Sequence, residues 1–377
     1  MPNEWRVPLS DLRFGAREFD SIRAALESGW LSQGPLTERF ETAFAHYLGV
    51  RYAIAVANGT AALHLAYRAI GIGPGDEVIC PSMTFVATIN AIRYCGAEPV
   101  FAEIQDPTHP VLDPYDVARK LTPRTRCIAA VDYGGYPWQI EAICDLAREV
   151  GVPVVEDAAH AVGAYRKGRK FGTFGDIGCF SFFSNKNMTT AEGGMVVTDD
   201  EGYAARIRLL RSHGMTTGTW ERHRSGQGEY DVVDLGYNYR LDEIRSALGL
   251  AQLTLLDEYN ERRRKLAARY WEILAPCPGL DLPFHGELEG SACHILPVLI
   301  PRGKDRRDVV ARMHAKGIQT SHHYPPVHKL EAYRRLWQQP LPTTEEFGSR
   351  EITLPLHPHM TSADVDLVCE SLVEALA

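Results

Sequence analysis

Residues 156–198, EDAAHAVGAYRKGRKFGTFGDIGCFSFFSNKNMTTAEGGMVVT, decide how this chain is expected to fold. They follow a short apolar run at residues 152–155, whose length and composition are typical of a buried strand. That run ends in two acids, Glu156 and Asp157. Because open α/β sheets hold their ligands at the carboxyl ends of parallel strands, a carboxylate at this point predicts a binding site.

A lysine on a later loop is a candidate partner for these acids. Lys186 lies twenty-nine residues after Asp157, between an aromatic run at 180–183 and a Thr/Gly-rich turn at 189–194. An aspartate at a strand end and a lysine on a following loop are the two side chains that a pyridoxal phosphate (PLP) site needs. The amine holds the cofactor as a Schiff base, and the acid keeps the ring nitrogen protonated. A surface lysine and a helix-capping aspartate are the alternative if each residue is taken alone.

Donors for a phosphate group are also present. The predicted strand at 52–57 runs into the turn Asn58-Gly59-Thr60-Ala61, and a helix begins there. Free N–H groups and the helix dipole at such a turn favour an anion, and Ser181 could add a hydroxyl. Phe85, at the carboxyl end of the next strand, could stack on the cofactor ring. A simple helix cap and a core aromatic are the alternatives for the turn and for Phe85.

The composition excludes several classes of protein. The chain has 377 residues, of which 45% are hydrophobic and 23% charged, as is ordinary for a globular protein with room for two domains. The net charge of −8 argues against a nucleic-acid-binding protein. No signal-like N-terminus and no apolar run of bilayer length is visible, so we predict a cytoplasmic location without membrane contact. Eight scattered cysteines without a CxxC pair indicate reduced core residues.

Apolar strands alternate with helices through the first half of the chain. Nearly continuous apolar runs occupy residues 77–80, 99–104 and 127–131, with helical patterns between them. Strands of this kind are buried on both faces. The alternation therefore predicts an α/β protein with a mainly parallel sheet covered by helices on both sides.

The second half of the chain changes character. Residues 213–232 are polar and Gly-rich, which predicts an ordered loop. An apolar face that begins at Leu241 continues to Ile273, which predicts one long helix from about 241 to 275. We therefore predict a large PLP-binding domain over residues 1–250, including the N-terminal arm. A small C-terminal α+β domain over residues 251–377 is predicted to be linked to it by that helix.

Several motifs now identify a family resemblance. The chain resembles the sugar nucleotide aminotransferases, the DegT/StrS group of fold-type I PLP enzymes, along nearly its full length. The motifs that carry the resemblance are NGTAALHLA (58–66), PSMTFVAT (81–88), VVEDAAHAVGA (154–164), the block at 172–198 and LGYNYRLDEIRSALGLAQL (235–253). The resemblance implies a mainly parallel seven-stranded sheet between helices in the large domain, together with the smaller C-terminal domain.

The resemblance also implies roles for individual residues. Lys186 is expected to carry the cofactor, Asp157 to pair with the ring nitrogen and His160 to lie near the phenolic oxygen. The other expected cofactor contacts are the phosphate-binding residues Gly59, Thr60, Ala61 and Ser181, the stacking residue Phe85, and Asn238. Asn238 is expected to reach the phosphate in the neighbouring subunit, which implies a homodimer with shared active sites.

A second group of residues is expected near the substrate: Trp30, Arg240, His322, His323 and Tyr324. For Arg240 a structural salt bridge is the alternative, and for the three residues at 322–324 a solvated loop. The histidines show no metal-ligand spacing, so we predict no metal site.

The function implied by the resemblance is transamination. The enzyme is expected to move an amino group from an amino acid, with glutamate as the expected donor, to a keto group of a nucleotide-linked deoxysugar. The cofactor would alternate between PLP and pyridoxamine phosphate. The Asn185-Lys186 pair favours reaction at C4 of the sugar. Two alternatives stay open: a non-nucleotide ketone such as a ketocyclitol, and a non-catalytic regulatory protein of the same fold.

Overall fold

The computed structural model describes residues 5–226 and 229–377. Helices and strands alternate through most of this part of the chain. The described helices are α1 Ala16–Glu27, α2 Pro35–Leu48, α3 Gly59–Ile70, α4 Val86–Tyr94, α5 Pro114–Lys120, α6 Glu141–Val150, α7 Glu201–Arg211, α8 Thr219–Ser225, α9 Glu243–Leu253, α10 Leu256–Leu274, α11 Arg306–Ala315, α12 Pro342–Arg350 and α13 Ser362–Leu376.

The described strands belong to one large sheet and three small ones. They are β1 Tyr52–Val56, β2 Glu77–Pro81, β3 Glu98–Ala102, β4 Ile104–Asp106, β5 His109–Leu112, β6 Thr125–Val131, β7 Val154–Asp157, β8 Tyr165–Arg166, β9 Arg169–Lys170, β10 Ile177–Ser181, β11 Gly194–Thr198, β12 Leu296–Leu299 and β13 Glu351–Leu354. The predicted strand at 152–155 is displaced by two residues, so both Glu156 and Asp157 lie within β7.

The large sheet has seven strands in the order β1-β11-β10-β7-β6-β2-β3. Strand β11 pairs antiparallel with both β1 and β10, whereas the other neighbouring strands pair in parallel. The predicted mainly parallel sheet is therefore confirmed. The parallel strands end at one edge of this sheet, where β7 presents Asp157.

Both faces of the sheet are buried, as predicted. On β2, Ile79 packs into one hydrophobic cluster, whereas the neighbouring Val78 and Cys80 pack into a second cluster. Successive side chains of a strand point to opposite faces, so the two clusters are the layers on either side of the sheet. Burial on both faces explains why these strands are nearly continuous apolar runs.

A buried carboxylate fixes the neighbouring strands β7 and β10. Glu156 accepts hydrogen bonds from the backbone N–H groups of Gly172, at 2.8 Å, and Gly175, at 2.5 Å. These residues form the turn that precedes β10. A Cβ atom on Gly178 would lie 1.9 Å from the carbonyl oxygen of Gly172. The glycines of the GTFGDIG segment are therefore required for β10 to lie beside β7.

The C-terminal segment builds a smaller unit. Strands β12 and β13 pair antiparallel, and α11 and α12 each contact this pair. The N-terminal arm joins the same unit, because Val7 pairs with Ile318 and the N–H of Leu9 donates to Gln319 Oε1 at 2.9 Å. The boundary at residues 250 and 251 stays a prediction.

Two predictions about the middle of the chain are wrong in detail. The expected helix from 241 to 275 is two helices, α9 and α10, separated at Thr254 and Leu255. Thr254 Oγ1 donates to the carbonyl oxygen of Ala251 at 2.7 Å, a local bond that competes with continued helix. The expected loop at 213–232 contains the short helix α8, and its residues 227 and 228 lie outside the described residues.

No helix in the described part of the chain combines the length and the apolar character needed to cross a bilayer.

Glu243, at the start of α9, holds the beginning of α2 against α9 by hydrogen bonds. Its carboxylate is buried and accepts bonds from the N–H groups of Gly34, Leu36 and Thr37 and from Thr37 Oγ1, at 2.8–3.0 Å. Replacing Glu243 with Gln places an amide donor against one of these donors. We expect Glu243→Gln to lower the free energy of unfolding by about 2 kcal/mol, measured by urea unfolding. The exposed control Glu27→Gln should stay within about 0.5 kcal/mol of the wild type. Equal midpoints for both variants would contradict this role.

Candidate active site

A cavity of 420 Å³ opens at the carboxyl edge of the parallel strands. Parallel α/β sheets place their ligands at this edge, because the loops after the strands converge there. The cavity collects residues from β7, β10, the start of α3 and the segment near residue 324. Its polar and aromatic lining includes Asn58, Gly59, Thr60, Thr84, Phe85, Asp157, His160, Ser181, Phe183, Asn185, Lys186, Glu192, His323 and Tyr324. Eight of the predicted cofactor and substrate residues beyond Lys186 therefore share one cavity with it.

Asp157 lies buried at the end of β7. Its Oδ2 accepts a hydrogen bond from Thr88 Oγ1 at 2.6 Å, and its Oδ1 accepts one from the N–H of Ala159 at 3.3 Å. Burial raises the pKa of Asp157, while the Thr88 and Ala159 bonds and the nearby Lys186 lower it. The pKa of Asp157 is raised overall, so the partners present do not fully offset the cost of burying its negative charge. A cation placed in the cavity would supply it.

Lys186 enters the cavity from the loop after β10. A tight turn fixes its backbone, since the N–H of Lys186 donates to the carbonyl oxygen of Phe183 at 2.9 Å. Desolvation lowers the pKa of the Lys186 amine to about 8 from an ordinary value of 10.5, and the negative charge of Asp157 opposes this change. The amine is therefore substantially neutral slightly above neutral pH, which is the form that attacks a carbonyl.

The same loop contains Ala191, which has an unusual backbone conformation for an alanine. Ala191 has a φ of 66°, in the left-handed region that glycine adopts without steric cost. Its side chain is exposed. The methyl group therefore affects the backbone of the loop rather than the cavity.

The start of α3 lies against Ser181 of β10 and forms a cradle that exposes backbone N–H groups. The N–H groups of Gly59 and Thr60 belong to the first turn, where no intrahelical acceptor exists. A Cβ atom on Gly59 would lie 2.9 Å from Ser181 Cβ and 3.2 Å from Ser181 Oγ. Glycine is therefore needed for the cradle to stay open against β10, and a helix N-terminus with two hydroxyls suits a phosphate.

His160 and Tyr324 form a hydrogen-bonded pair on one wall. The N–H of Gly134 donates to His160 Nδ1 at 3.2 Å, and His160 Nε2 lies 2.9 Å from the Tyr324 hydroxyl. Burial lowers the pKa of His160, so the ring is neutral. Since Nδ1 accepts, Nε2 carries the hydrogen and donates to Tyr324. The hydroxyl hydrogen of Tyr324 is then available to a ligand.

His323 is held from behind by the C-terminal unit. Its Nδ1 lies 2.8 Å from Thr353 Oγ1, and its backbone N–H donates to Glu351 Oε2 at 2.9 Å. Burial lowers the pKa of His323 to about 3 and raises the pKa of Glu351 to about 8. His323 therefore contributes a neutral ring to the cavity, and its bond to Thr353 fixes its orientation.

Phe85 offers a flat surface at the cavity mouth. Its side chain is 55% exposed, although it is a large apolar group, and its ring centroid lies 5.7 Å from that of Tyr324. The core-aromatic alternative does not agree with this exposure. An exposed aromatic face beside a polar cavity suits a stacked ring.

Two predicted residues lie near the cavity without lining it. The N–H of Ala61 is already donated to Asn58 Oδ1 at 2.8 Å, which caps α3. His322 turns toward α12, where its Nε2 lies 2.9 Å from the carbonyl oxygen of Gly348. The structure therefore does not bring Ala61 and His322 together with Lys186.

Three further predicted residues lie elsewhere on the chain. Trp30 packs against Trp220, with ring centroids 4.9 Å apart. Arg240 lines a separate cavity of 590 Å³, which Trp220 also lines. Asn238 is exposed and pairs with Ser212. Within one chain, these residues do not contact the Lys186 cavity.

Three site residues were missed by the sequence analysis. Thr88 bonds Asp157 directly, His294 Nε2 lies 3.4 Å from Lys186 Nζ, and Asn187 Oδ1 lies 2.9 Å from His294 Nδ1. The only available signal was the four-residue spacing of Thr84 and Thr88, whose hydroxyls lie 2.8 Å apart where the chain enters α4. A single histidine in an apolar segment gives no such signal.

These residues fit PLP. The raised pKa of Asp157 calls for a cationic partner such as a pyridine nitrogen, and the glycine cradle at α3 suits a dianionic phosphate. Lys186 would hold the cofactor, Phe85 would cover the ring and His160 would lie beside it. PLP supplies the carbonyl and the electron-withdrawing ring of the reaction.

The pKa of Lys186 can be tested on the cofactor-free protein. We expect the rate at which a trace acylating reagent labels Lys186, followed by mass spectrometry from pH 6 to 11, to rise with a midpoint near 8. The deprotonated amine is the reactive form, so the rate increases as pH rises. Asp157→Asn should move the midpoint lower, because it removes the charge that raises this pKa. Labelling of the exposed Lys265 in the same samples serves as the reference. A midpoint near 10.5 for Lys186 would contradict a desolvated amine.

The chain is similar to known proteins along nearly its full length. The profile of the DegT/DnrJ/EryC1/StrS aminotransferase family matches residues 13–373. The spore coat polysaccharide biosynthesis protein SpsC of Bacillus subtilis (strain 168) is 39% identical over 374 residues, which cover 97% of this chain and 96% of SpsC.

Solved structures show the same similarity. PseC of Helicobacter pylori, an aminotransferase involved in the biosynthesis of pseudoaminic acid, has a TM-score of 0.92 and 30% identity, covering 98% of this chain and 99% of PseC. DesI, solved in the presence of its TDP-sugar product, has a TM-score of 0.89 and 35% identity, covering 100% of this chain and 94% of DesI. The chain therefore belongs to the DegT/DnrJ/EryC1/StrS aminotransferase family and is a PLP-dependent aminotransferase.

Proposed function

We propose that this enzyme transfers an amino group from glutamate to a keto group of a nucleotide-linked deoxysugar, with C4 as the favoured position. The observation that carries the proposal is the presence of Lys186, Asp157 and the glycine cradle of α3 in one cavity. Family membership supports the reaction type, and the TDP-sugar product of DesI supports the substrate class. The Asn185-Lys186 pair is the reason for favouring C4.

The residues of the cavity divide the chemical work. Asp157 would keep the ring nitrogen protonated. Lys186, whose pKa is lowered to about 8, would receive and return the proton that moves between the two carbons of the transfer. The N–H groups at Gly59 and Thr60 would hold the phosphate. The Tyr324 hydroxyl, which accepts from His160, would donate to an oxygen of the bound molecule.

A homodimer is part of this proposal. Asn238 is exposed and follows an apolar stretch of unusual exposure, in which Val233 is 58% and Leu235 76% exposed. Contiguous exposed apolar side chains are typical of an interface. A second copy covering this stretch would bring Asn238 toward the neighbouring cavity. We expect the same arrangement to bring Trp30 and Arg240 near the substrate.

The first test is an absorbance spectrum of the purified enzyme with PLP, before and after glutamate is added. We expect a visible band that glutamate removes, with one equivalent of 2-oxoglutarate formed, because the amino group passes to the cofactor. Lys186→Ala should lose multiple-turnover transamination while it stays folded. A band that glutamate leaves unchanged would exclude glutamate as the donor.

The acceptor is tested separately. After glutamate is consumed, UDP-, GDP-, CDP- and TDP-linked 4-keto deoxysugars and a free ketocyclitol are presented to the enzyme. Return of the visible band with one nucleotide-linked sugar is expected. Return of the band with the ketocyclitol alone would favour the non-nucleotide alternative. The retained set of Lys186, Asp157 and the phosphate cradle speaks against the non-catalytic alternative.

Thr88 should tune the affinity for PLP through Asp157. The Thr88 hydroxyl favours the carboxylate form, so Thr88→Val should raise the pKa of Asp157 further. We expect PLP to bind about tenfold more weakly at pH 6, with partial recovery at pH 8.5, because the carboxylate re-forms as pH rises. Titration of the bound-cofactor absorbance measures both values. Thr84 contacts Thr88 rather than Asp157, so Thr84→Val should weaken PLP binding less. An equal loss at both pH values would point to packing rather than charge.

A further inference from the structure

A chain of amides behind Lys186 has only one possible hydrogen-bond direction. Asn187 Nδ2 donates to Asn260 Oδ1 at 2.7 Å and to the carbonyl oxygen of Ala292 at 2.8 Å. Asn260 Nδ2 in turn donates to the carbonyl oxygen of Val162 at 3.0 Å. Because carbonyl oxygens only accept, turning either amide around would point its oxygen at another oxygen and leave acceptors opposed to acceptors. Asn187 Oδ1 must therefore face away from these partners.

That oxygen faces His294 and decides its tautomer. Asn187 Oδ1 lies 2.9 Å from His294 Nδ1, and an amide oxygen can only accept. The hydrogen of the ring is therefore on Nδ1. Burial lowers the pKa of His294, and the nearby Lys186 lowers it further, so the ring is neutral and Nε2 has no hydrogen. The lone pair of Nε2 faces Lys186 Nζ at 3.4 Å.

We propose that His294 is a positioning residue that accepts a hydrogen bond from the Lys186 amine at Nε2 whenever that amine is free of the cofactor. One N–H of Lys186 then points at the ring, so the lone pair of the amine occupies another position on Nζ and faces away from His294. The opposite tautomer would donate from Nε2 into this lone pair and block it. The interaction deepens the proposed function, because it rests on Lys186 as the reacting amine.

Other titratable groups face the same amine. Asp157 approaches from β7 and raises the pKa of Lys186, while His160 and His323 lie on two other walls. Both nitrogens of His160 are engaged, by Gly134 and Tyr324. Glu192 also lines the cavity. Within residues 5–226 and 229–377, His294 is the one side chain within hydrogen-bond distance of Lys186 Nζ.

The positive charge of Arg263 also acts on the His294 ring. Arg263, on α10, lies near enough to lower the pKa of the ring, and its Nη1 donates to Asn260 Oδ1 at 3.4 Å. A cationic His294 would therefore stand between two cations, Arg263 and the Lys186 ammonium. This arrangement disfavours protonation of the ring and supports its role as an acceptor.

The first test measures the apparent pKa of Lys186 by trace acylation of the cofactor-free, full-length protein. His294→Leu removes an acceptor for the ammonium form, so we expect the midpoint to fall below that of the wild type by about one unit. His294→Gln, whose amide oxygen can accept at the same reach, should restore most of the difference. A rise in the midpoint would show that His294 is a cation, and no change would show that it does not hold the amine. Either result would overturn the proposal.

His64→Leu is the matched control. His64 is also buried, on α3, and its ring contacts Tyr239 rather than the cavity. It should leave the Lys186 midpoint unchanged even though a buried imidazole is lost. A shift of the same size in this variant would mean that the His294→Leu result reports general loosening of the core, which would overturn the proposal.

The second test reads the tautomer directly. In full-length protein labelled with ¹⁵N-histidine, the His294 signals are assigned by their loss in His294→Gln. We expect the hydrogen on Nδ1 and an unprotonated Nε2. A hydrogen on Nε2 would overturn the proposal. Both tests use cofactor-free protein, so they can succeed even if glutamate or the sugar substrate proves wrong, and failure of the proposed function would be recognised separately in the absorbance experiment.

Discussion

Two adjacent carboxylates at the end of β7 face opposite sides of the sheet, because side chains alternate along a strand. Glu156 turns toward the core and accepts N–H groups from Gly172 and Gly175, which fixes the turn that leads into β10. Asp157 turns toward the cavity and is held by Thr88. Strand β10 then carries the chain to Lys186. One carboxylate therefore secures the strand that delivers the lysine, and its neighbour supplies the charge that the lysine and cofactor require.

The sequence was most informative where a structural feature depends on residues that are close together in the chain. Apolar strands buried on both faces leave continuous runs, so the parallel sheet could be predicted, and Asp157 and Lys186 were recognisable because one short segment contains both. The break between α9 and α10 could not be predicted from periodicity. The apolar spacing continues across Thr254 and Leu255, and only the local bond from Thr254 marks the end of the first helix. Helix α8 was missed because its residues are polar and its stability depends on packing around Trp220.

The site was predictable only in part, for the same physical reason. His294 lies 108 residues beyond Lys186 in the segment before β12, and Asn260 lies on helix α10. Tertiary packing alone brings them together, and neither a histidine in an apolar segment nor an asparagine among charged residues carries a signal of that packing. The predicted site residues that lie outside the cavity show a second limit of sequence-based prediction. The hypotheses for Trp30, Asn238 and Arg240 depend on a second copy, and no property of a single chain tests them.

The electrostatics of the cavity depend on which ring nitrogens carry hydrogens. If His160 or His294 were cationic, the pKa of Lys186 would fall further and Asp157 would gain a competing partner. Burial keeps both rings neutral, and a single backbone or amide partner then decides each tautomer: the Gly134 N–H for His160, and Asn187 for His294. The two rings consequently present different atoms to the cavity. His160 donates to Tyr324, whereas His294 offers a lone pair to Lys186. Neutral imidazoles with fixed tautomers can thus orient a hydroxyl and an amine without adding charge, which leaves Asp157 as the charge available to a ring nitrogen and Lys186 as the reacting amine.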